Sequence, residues 1–438
     1  MKFYDRTKEL EMLRFALEQS RKESRMTVVT GRRRIGKTEL IKRCGDDTVL
    51  YFFVARKTEA LLCQDFVEEA EKKLNRIIGF PTRFSDLFKS LLQLSNERPF
   101  TLIIDEFQDF QRVNPSIFSE IQRDWDLFKS QSHINLIISG SVLTMMKRIF
   151  EDAKEPLFGR ASIQMTLRPF STNTLKEILQ DHNPNYKAED LLALYTITGG
   201  VAYYVALMMD NMCHTKDAMI KSLFSVNSLL INEGRNLMVE EFGPESAIHF
   251  SIITCIANGA HTRGEIENTL NTNNIGSYLT RLDRYYRLIE ARLPIFAKSN
   301  SKKMKYMLKD EFLTFWFRFF YKYQAFIENN ALEQLETIIE RDFSTFSGFA
   351  LERYFETKLR ESGQYTRIGK YWDRKGENEI DLIAVNEIDN TAEIYEIKRD
   401  KNKFDKTLLD KKINHLKQNC PQIKNMAITS GVLSLEDM

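Results

Sequence analysis

The chain has 438 residues, 43% of them hydrophobic and 28% charged, a globular balance that excludes a fibrous or largely disordered protein. At about 100–200 residues per domain there is room for several domains, each able to bury a core without covalent staples. Lys and Arg number 63 against 61 Asp and Glu, a net charge of +2; a global basic field is excluded, and contact with nucleic acid has to come from a local patch.

Residues 1–170 alternate short apolar strands, Met26–Thr30, Thr48–Ala55, Phe100–Asp105, Ile134–Gly140 and Ser162–Leu167, with helical stretches. Such runs, mostly without polar alternation, suit a parallel sheet covered by helices on both faces, and predict a doubly wound α/β domain. The first strand leads into Gly31-Arg32-Arg33-Arg34-Ile35-Gly36-Lys37-Thr38 and then Glu39, which fits GxxxxGK[ST] in a strand–turn–helix setting. Glycines let the loop wrap closely around phosphate oxygens, and backbone N–H groups opening the next helix point at the anion. Lys37 can reach the β- and γ-phosphates of ATP, and the Thr38 hydroxyl can ligate Mg2+.

The third strand ends in Asp105-Glu106. Asp105 is the expected carboxylate on the Mg2+ side, and Glu106 is placed to orient and deprotonate an attacking water. The same pair also fits a strand capped by two solvated acids. The fourth strand ends in Ser139-Gly140-Ser141, where Ser141 offers a small hydroxyl to a terminal phosphate or simply makes a turn. Arg160, in Pro156-Leu157-Phe158-Gly159-Arg160, is a candidate for stabilising developing charge, against the plainer alternative of a surface arginine.

Residues 171–242 read as helical, with Leu191, Leu192, Tyr195, Ala206 and Leu207 at the apolar positions. Residues 243–326 predict a helix, a second helix (Thr262–Leu270), a turn (Asn271–Asn274) and a third helix (Ile275–Arg292). A hairpin is expected next, Ile295–Lys298 with Lys305–Leu308 around Ser299–Lys302, completing a winged-helix order. Arg281, Arg284 and Arg287 with Lys298, Lys302, Lys303 and Lys305 form a basic cluster suited to DNA phosphates. Asp283 and Glu290 dilute it, so a packing module remains the alternative. Phe312–Phe320 follows helical spacing and reads as core.

The stretch 327–340 is polar and helix-prone; a helix (Phe349–Leu359) and strands Glu379–Val385 and Glu393–Arg399 follow. Strand alternation puts Glu379 with Asp381 on one face and Glu396 with Lys398 on one face. A turn near Ile388–Asn390 sets Asp381 opposite Glu396. Two carboxylates and a lysine so gathered could hold Mg2+ and activate water against a phosphodiester. An exposed strand face of mixed charge is the competing reading.

The cysteines Cys44, Cys63, Cys213, Cys255 and Cys420 are widely spaced and never in a CxxC pair, which argues for a reducing compartment. No apolar run reaches the ~18 residues of a membrane span, and Met1–Arg6 lacks a signal-like apolar stretch, so the expectation is a cytoplasmic protein without membrane contact.

Together these residues resemble the archaeal-type P-loop ATPases, near the STAND and AAA+ proteins, fused to a carboxy-terminal PD-(D/E)xK nuclease-like domain of DUF234 type. The similarity runs through Phe3-Tyr4-Asp5-Arg6…Glu9-Leu10, Gly31–Thr38, Asp105-Glu106-Phe107-Gln108, Ser139-Gly140-Ser141 and Gly159-Arg160. It continues through Thr198-Gly199-Gly200-Val201-Ala202-Tyr203-Tyr204, where Ala202 stands at the family's usual Pro, and through Lys309-Asp310-Glu311-Phe312…Phe315-Trp316-Phe317-Arg318-Phe319.

The resemblance implies an ATPase core at 1–170, a helical lid at 171–242, a winged helix at 243–326 and a nuclease-like domain at 327–438. It implies that Arg6 lies near the adenine, and that Glu352 of the leading helix joins Asp381, Glu396 and Lys398 of the nuclease-like core. The implied activity is Mg2+-dependent ATP hydrolysis coupled to DNA binding or cleavage. An ATP-gated switch with an inactive nuclease-like scaffold, or a DNA-binding regulator, stays open beside it. If Arg160 acts on a neighbour's nucleotide, an oligomer is required.

Overall fold

Five short runs in the first 170 residues are rich in β-branched, aromatic and other apolar residues, and in the computed structural model each becomes a strand. They are β1 (Arg25–Thr30), β2 (Val49–Phe53), β3 (Phe100–Asp105), β4 (Ile134–Gly140) and β5 (Ile163–Thr166). The structure describes residues 1–44, 48–224, 229–242, 247–374 and 376–438. These residues cluster into two compact units, Tyr4–Arg168 and Met1–Phe3 with Pro169–Met438. The expected boundary between residues 242 and 243 abuts 243–246, outside the described residues.

In the first unit the strands form one parallel sheet in the order β2-β3-β4-β1-β5. β3 and β4 are buried along their whole length, as strands covered on both faces must be. One core gathers Val28, Leu102, Ile104, Leu136 and Ile138 with the aromatic side chains of the covering helices. Phe52 stacks on Phe66 with ring centroids 4.3 Å apart. Because all five strands run the same way, their carboxyl ends share one edge, the edge at which α/β sheets bind ligands. Gly31–Thr38, Asp105-Glu106 and Gly140-Ser141 all emerge there.

The second unit begins with helices, including Thr172–His182, Ala188–Thr198 and Ala202–Asp210. Between the last two, Gly199 and Gly200 take φ of 58° and 71°. A Cβ on Gly199 would come within 3.0 Å of the Phe312 nitrogen, and one on Gly200 within 2.9 Å of the Phe170 carbonyl oxygen. Ala202 opens its helix at the first helical position, the place where proline is also tolerated. The aromatic run is core as expected: Phe312, Phe315, Phe317 and Phe319 are fully enclosed.

The third helix and hairpin depart from expectation. Gly276–Thr280 is α-helical and Arg281–Tyr285 is a π-helical turn. Arg287 then takes a left-handed φ of 55°, which a continuing helix cannot hold. Ile289–Arg292 is a strand, β6, paired antiparallel with β7 (Lys305–Leu308), Ile289 opposite Leu308. The expected strand Ile295–Lys298 does not form. Instead the Ile295 N–H donates to the Lys370 carbonyl at 2.7 Å, and its side chain joins the core of the carboxy-terminal sheet. Leu279, Leu282, Tyr286 and Ile289 keep helical spacing across the break, so apolar periodicity could not reveal where helix gave way to strand.

The expected helix Phe349–Leu359 is the second half of one 31-residue helix, Leu332–Ser362, which absorbs most of the polar connector. After it come β8 (Arg367–Tyr371), β9 (Ile380–Asn386), β10 (Thr391–Ile397) and β11 (Ala427–Leu433), ordered β11-β10-β9-β8. β8, β9 and β10 pair antiparallel, whereas β10 and β11 are parallel and joined by the helix Lys406–Asn419, the crossover a parallel pair needs. The five cysteines are buried free thiols. No helix among the described residues is long and apolar enough to cross a membrane.

Candidate nucleotide site and carboxylate cluster

The loop after β1 is shaped by its glycines. Gly36 has φ 95°, and a Cβ on Gly31 would lie 3.0 Å from Ile35 and 3.1 Å from the Leu167 carbonyl. Ile35 is buried beneath the loop, while Arg32 and Arg34 are half-buried and Arg33 is exposed. Lys37 opens the following helix, Lys37–Lys42, and is buried; its ammonium donates to the Gly31 and Arg32 carbonyls at 3.0 and 3.3 Å. Glu39 faces solvent and pairs with Arg43 at 2.7 Å, so it is not gathered into the loop.

The Thr38 hydroxyl donates to Asp105 Oδ2 at 3.0 Å, joining the loop to the end of β3. The Tyr51 hydroxyl, from β2, donates to the same oxygen at 2.6 Å. Burial, and then the Asp105 carboxylate, push the Tyr51 phenol above its ordinary pKa, so it remains a donor. The Glu106 N–H donates to Asp105 Oδ1 at 3.1 Å.

Glu106 itself has a left-handed φ of 55°. Its Oε2 accepts from Gln108 Nε2 at 2.6 Å and from Ser141 Oγ at 2.7 Å. The structure thus brings Lys37, Thr38, Asp105, Glu106 and Ser141 to one edge of the sheet. Two participants were missed in the sequence. Gln108 lies within the quoted Asp105–Gln108 motif but had no assigned role, and Tyr51 shows only once β2 is laid beside β3.

Arg160 is not drawn into this group: its guanidinium pairs with Asp126 at 3.0 Å and donates to the Phe158 carbonyl at 2.8 Å. Arg6 is buried and donates to the Arg168 carbonyl at 2.7 Å, fastening the start of the first helix to the chain beyond β5.

In the second unit the β9–β10 register pairs Tyr395 with Leu382, and one further step sets Glu396 across from Asp381. Lys398 Nζ lies 2.9 Å from Glu396 and 3.4 Å from Asp381, and Asp381 also accepts from the Ile397 N–H at 2.8 Å. Burial alone would lower the Lys398 pKa, but Glu396 and Asp381 outweigh it and hold the ammonium charged.

Lysines absent from the sequence argument complete the cluster. Lys412, from the crossover helix, pairs with Glu396 at 2.7 Å; Lys370, on β8, pairs with Glu352; and Lys305 pairs with Glu379 at 3.3 Å. Enclosure raises the Glu352 pKa, Lys370 opposes the rise, and nearby Asp381 adds to it. Among the described residues no three His, Cys, Asp or Glu side chains are gathered as a metal-binding group; the carboxylates are balanced by ammonium groups.

Residues 3–208 match a family model described as an ATPase domain predominantly from Archaea. Residues 316–409 match DUF234, described as archaeal and bacterial proteins of unknown function. The uncharacterized protein MJECL04 of Methanocaldococcus jannaschii is 31% identical over 405 residues, covering 90% of this chain and 87% of that protein. Among solved structures, the Walker-type ATPase paby2304 of Pyrococcus abyssi aligns with a TM-score of 0.52 at 17% identity, covering 72% of this chain and 96% of that one. The ORC2 protein of Aeropyrum pernix, solved in ADPNP–ADP complexes, aligns with a TM-score of 0.51 at 15% identity, covering 78% and 96%. At these identities the solved structures speak to the fold alone. With the sheet order, the loop after β1 and a relative matched along nearly its whole length, the chain belongs to the family of archaeal-type P-loop ATPases that carry a carboxy-terminal DUF234 domain.

Proposed function

We propose that the chain binds ATP with magnesium at the edge of the parallel sheet and hydrolyses it. The observation that carries this reading is the Thr38–Asp105 contact beside the buried Lys37 ammonium. A hydroxyl and a carboxylate side by side are hard oxygen donors of the kind magnesium takes, and an ammonium inside a glycine-bounded loop suits a phosphate. The residues fit both groups. Magnesium, when bound, would neutralise charge on the phosphate oxygens.

Lys37 exchanges its loop carbonyls for phosphate oxygens. Tyr51 keeps Asp105 oriented toward Thr38. Glu106 takes the proton from water, and both its side-chain bonds fall on Oε2, which fixes the carboxylate plane and leaves Oε1 toward the water. Ser141 bonds to the base itself, so a phosphate that drew the Ser141 hydroxyl away would alter the base.

The test is ATP turnover by the full chain with Lys37→Met and Glu106→Gln. Lys37→Met is expected to lose nucleotide binding. Glu106→Gln is expected to keep binding and lose about a hundredfold or more in rate. Slow turnover unaffected by Glu106→Gln would favour a nucleotide-gated switch, and no turnover in the native chain would sink the hydrolytic reading.

For the second unit we propose a nuclease-like module at 327–438, preceded by a helical lid at 171–242 and a winged helix at 243–326. The register-matched Asp381 and Glu396 with Lys398 support this division. The exposed Arg284 and Arg287 are the residues offered to DNA phosphates. A specific observation favours a scaffold over an active nuclease: Glu352, Asp381 and Glu396 are each already neutralised by a lysine. Incubation of the full chain with DNA, several divalent metals and ATP separates the two. Cleavage lost in Asp381→Ala and Lys398→Ala supports the nuclease, and intact DNA throughout supports the scaffold.

A further inference from the structure

The motif from Lys309 to Phe319 is only partly explained by packing. Its aromatic residues fill the core, but Glu311 and Arg318 face a cavity of about 460 Å³ in the second unit. One wall is the helix Ala247–Ala257 with the turn after it, another is β7, and a third is the long helix Leu332–Ser362.

The cavity is two-sided in chemistry. Met307, Phe346 and Ile256 give it an apolar wall, and Phe349, 60% exposed, stands at its mouth. A large apolar side chain left in water at the rim of a concave surface marks a place where something apolar is received.

The opposite wall carries charge. Arg353 is already committed: it pairs with the buried Glu311 and donates to the Leu308 carbonyl. Burial pushes the Glu311 carboxyl up, and the Arg353 guanidinium opposes that rise. Arg318 is different. Its Nη2 lies 3.8 Å from Asp342, beyond hydrogen-bond length, and Asp342 is held by Arg341 at 2.8 and 3.1 Å. The Arg318 Nη1 atom is enclosed and has no hydrogen-bond partner among the described residues. Nη2, which is not enclosed and makes no hydrogen bond at 3.8 Å, is the nitrogen an acceptor in the cavity can reach.

Lys322 lies one helical turn beyond Arg318 and lines the same wall. Arg318, Lys322 and Arg353 thus face Glu311 and Asp342, three cations against two carboxylates. His261 adds no charge at neutral pH, because burial lowers its pKa. Arg353 is matched by Glu311 and Asp342 is held by Arg341, so Arg318 and Lys322 remain as two cations, one for each oxygen of a carboxylate.

We propose that this cavity binds a small organic carboxylate with an apolar, aromatic body. Its carboxylate accepts from Arg318 Nη2 and Lys322, and its body lies against Met307, Phe346 and Phe349. The pocket belongs to the second unit alone and is independent of the nucleotide reading, so its failure would leave that reading intact.

The test uses the full chain and three probes: indole-3-acetate, the neutral alcohol tryptophol with the same ring, and acetate. Ligand-observed NMR and titration calorimetry read the affinities. Indole-3-acetate is expected to bind saturably, at least about tenfold more tightly than either control. Arg318→Gln is expected to weaken it about tenfold or more, and Ala350→Trp to abolish it by filling the cavity. Lys322→Gln, at an exposed position, gives the same readout in a variant whose fold is not at stake. Equal affinity for tryptophol, binding undiminished in both Arg318→Gln and Lys322→Gln, or no saturable binding of indole-3-acetate at millimolar concentration would each overturn the proposal.

Discussion

Tyr51 and Thr38 donate to the same oxygen of Asp105, so the carboxylate is steered from a strand and a helix at once. Removing one donor leaves the carboxylate in place but freer to turn. Tyr51→Phe is therefore expected to raise the magnesium concentration needed for half-maximal turnover by roughly fivefold, the worth of about one hydrogen bond, with little change in melting temperature. A magnesium titration of the ATPase rate checks this. Gly140 sets a second residue-scale constraint: a Cβ there would collide with the Gln108 amide oxygen and the Met146 sulfur. Gln108 Oε1 ends a flexible side chain, but Met146 Sδ and Cγ lie mid-chain in a buried one, so Gly140→Ala is expected to fold with reduced stability. Gln108 would have to leave Glu106, and the expected outcome is a several-fold fall in turnover with nucleotide affinity retained, as separate rate and binding measurements would reveal. The gathering of Lys37, Thr38, Asp105 and Glu106 at one sheet edge was legible because each closes or follows a strand. Tyr51 was not, because its role depends on the lateral pairing of β2 with β3, which no local spacing encodes.

The elements of the first unit were read almost to the residue, since runs such as Leu102–Ile104 and Leu136–Ile138 are buried on both faces and leave no ambiguity of period. The hairpin β6–β7 was misread because Ile289 satisfies helix and strand equally well. That same strand carries Arg292, whose guanidinium lies 2.7 Å from Glu356 of the long helix, while Arg360 reaches the other oxygen at 2.7 Å. Burial alone would raise the Glu356 pKa, but Arg292 and Arg360 together pull it down from 4.5 to about 2. A carboxylate with a depressed folded value contributes its stability in full above about 4.5 and loses it as pH falls toward about 2. Melting temperature is expected to drop across that window, and Glu356→Gln to flatten the slope. Arg292→Ala, which strands a buried carboxylate, should cost about 3–5 kcal/mol in a denaturant titration near neutral pH.

For the whole molecule, the proposed binding of ATP with magnesium to the folded chain and not to the unfolded one raises the melting temperature by mass action. At about a hundredfold excess over the dissociation constant the gain is about 2.7 kcal/mol. Thermal unfolding with and without nucleotide should show that shift in the native chain and none in Lys37→Met. The carboxy-terminal half was harder to read than the amino-terminal half for a reason of chemistry: Asp381, Glu396 and Lys398 were visible as a strand pattern, whereas Lys370 and Lys412 come from β8 and from a helix far along the chain.

The helix Leu332–Ser362 ties several of these observations to a single rod. Arg353 turns toward the cavity, its neighbour Glu352 toward Lys370, and Glu356 toward Arg292. From Phe349 to Glu356 the axis advances only about 10 Å. Any roll of that cylinder would carry Phe349 and Glu352 through the same angle. Cavity and acidic groups are thus geared together by the stiffness of seven consecutive peptide units.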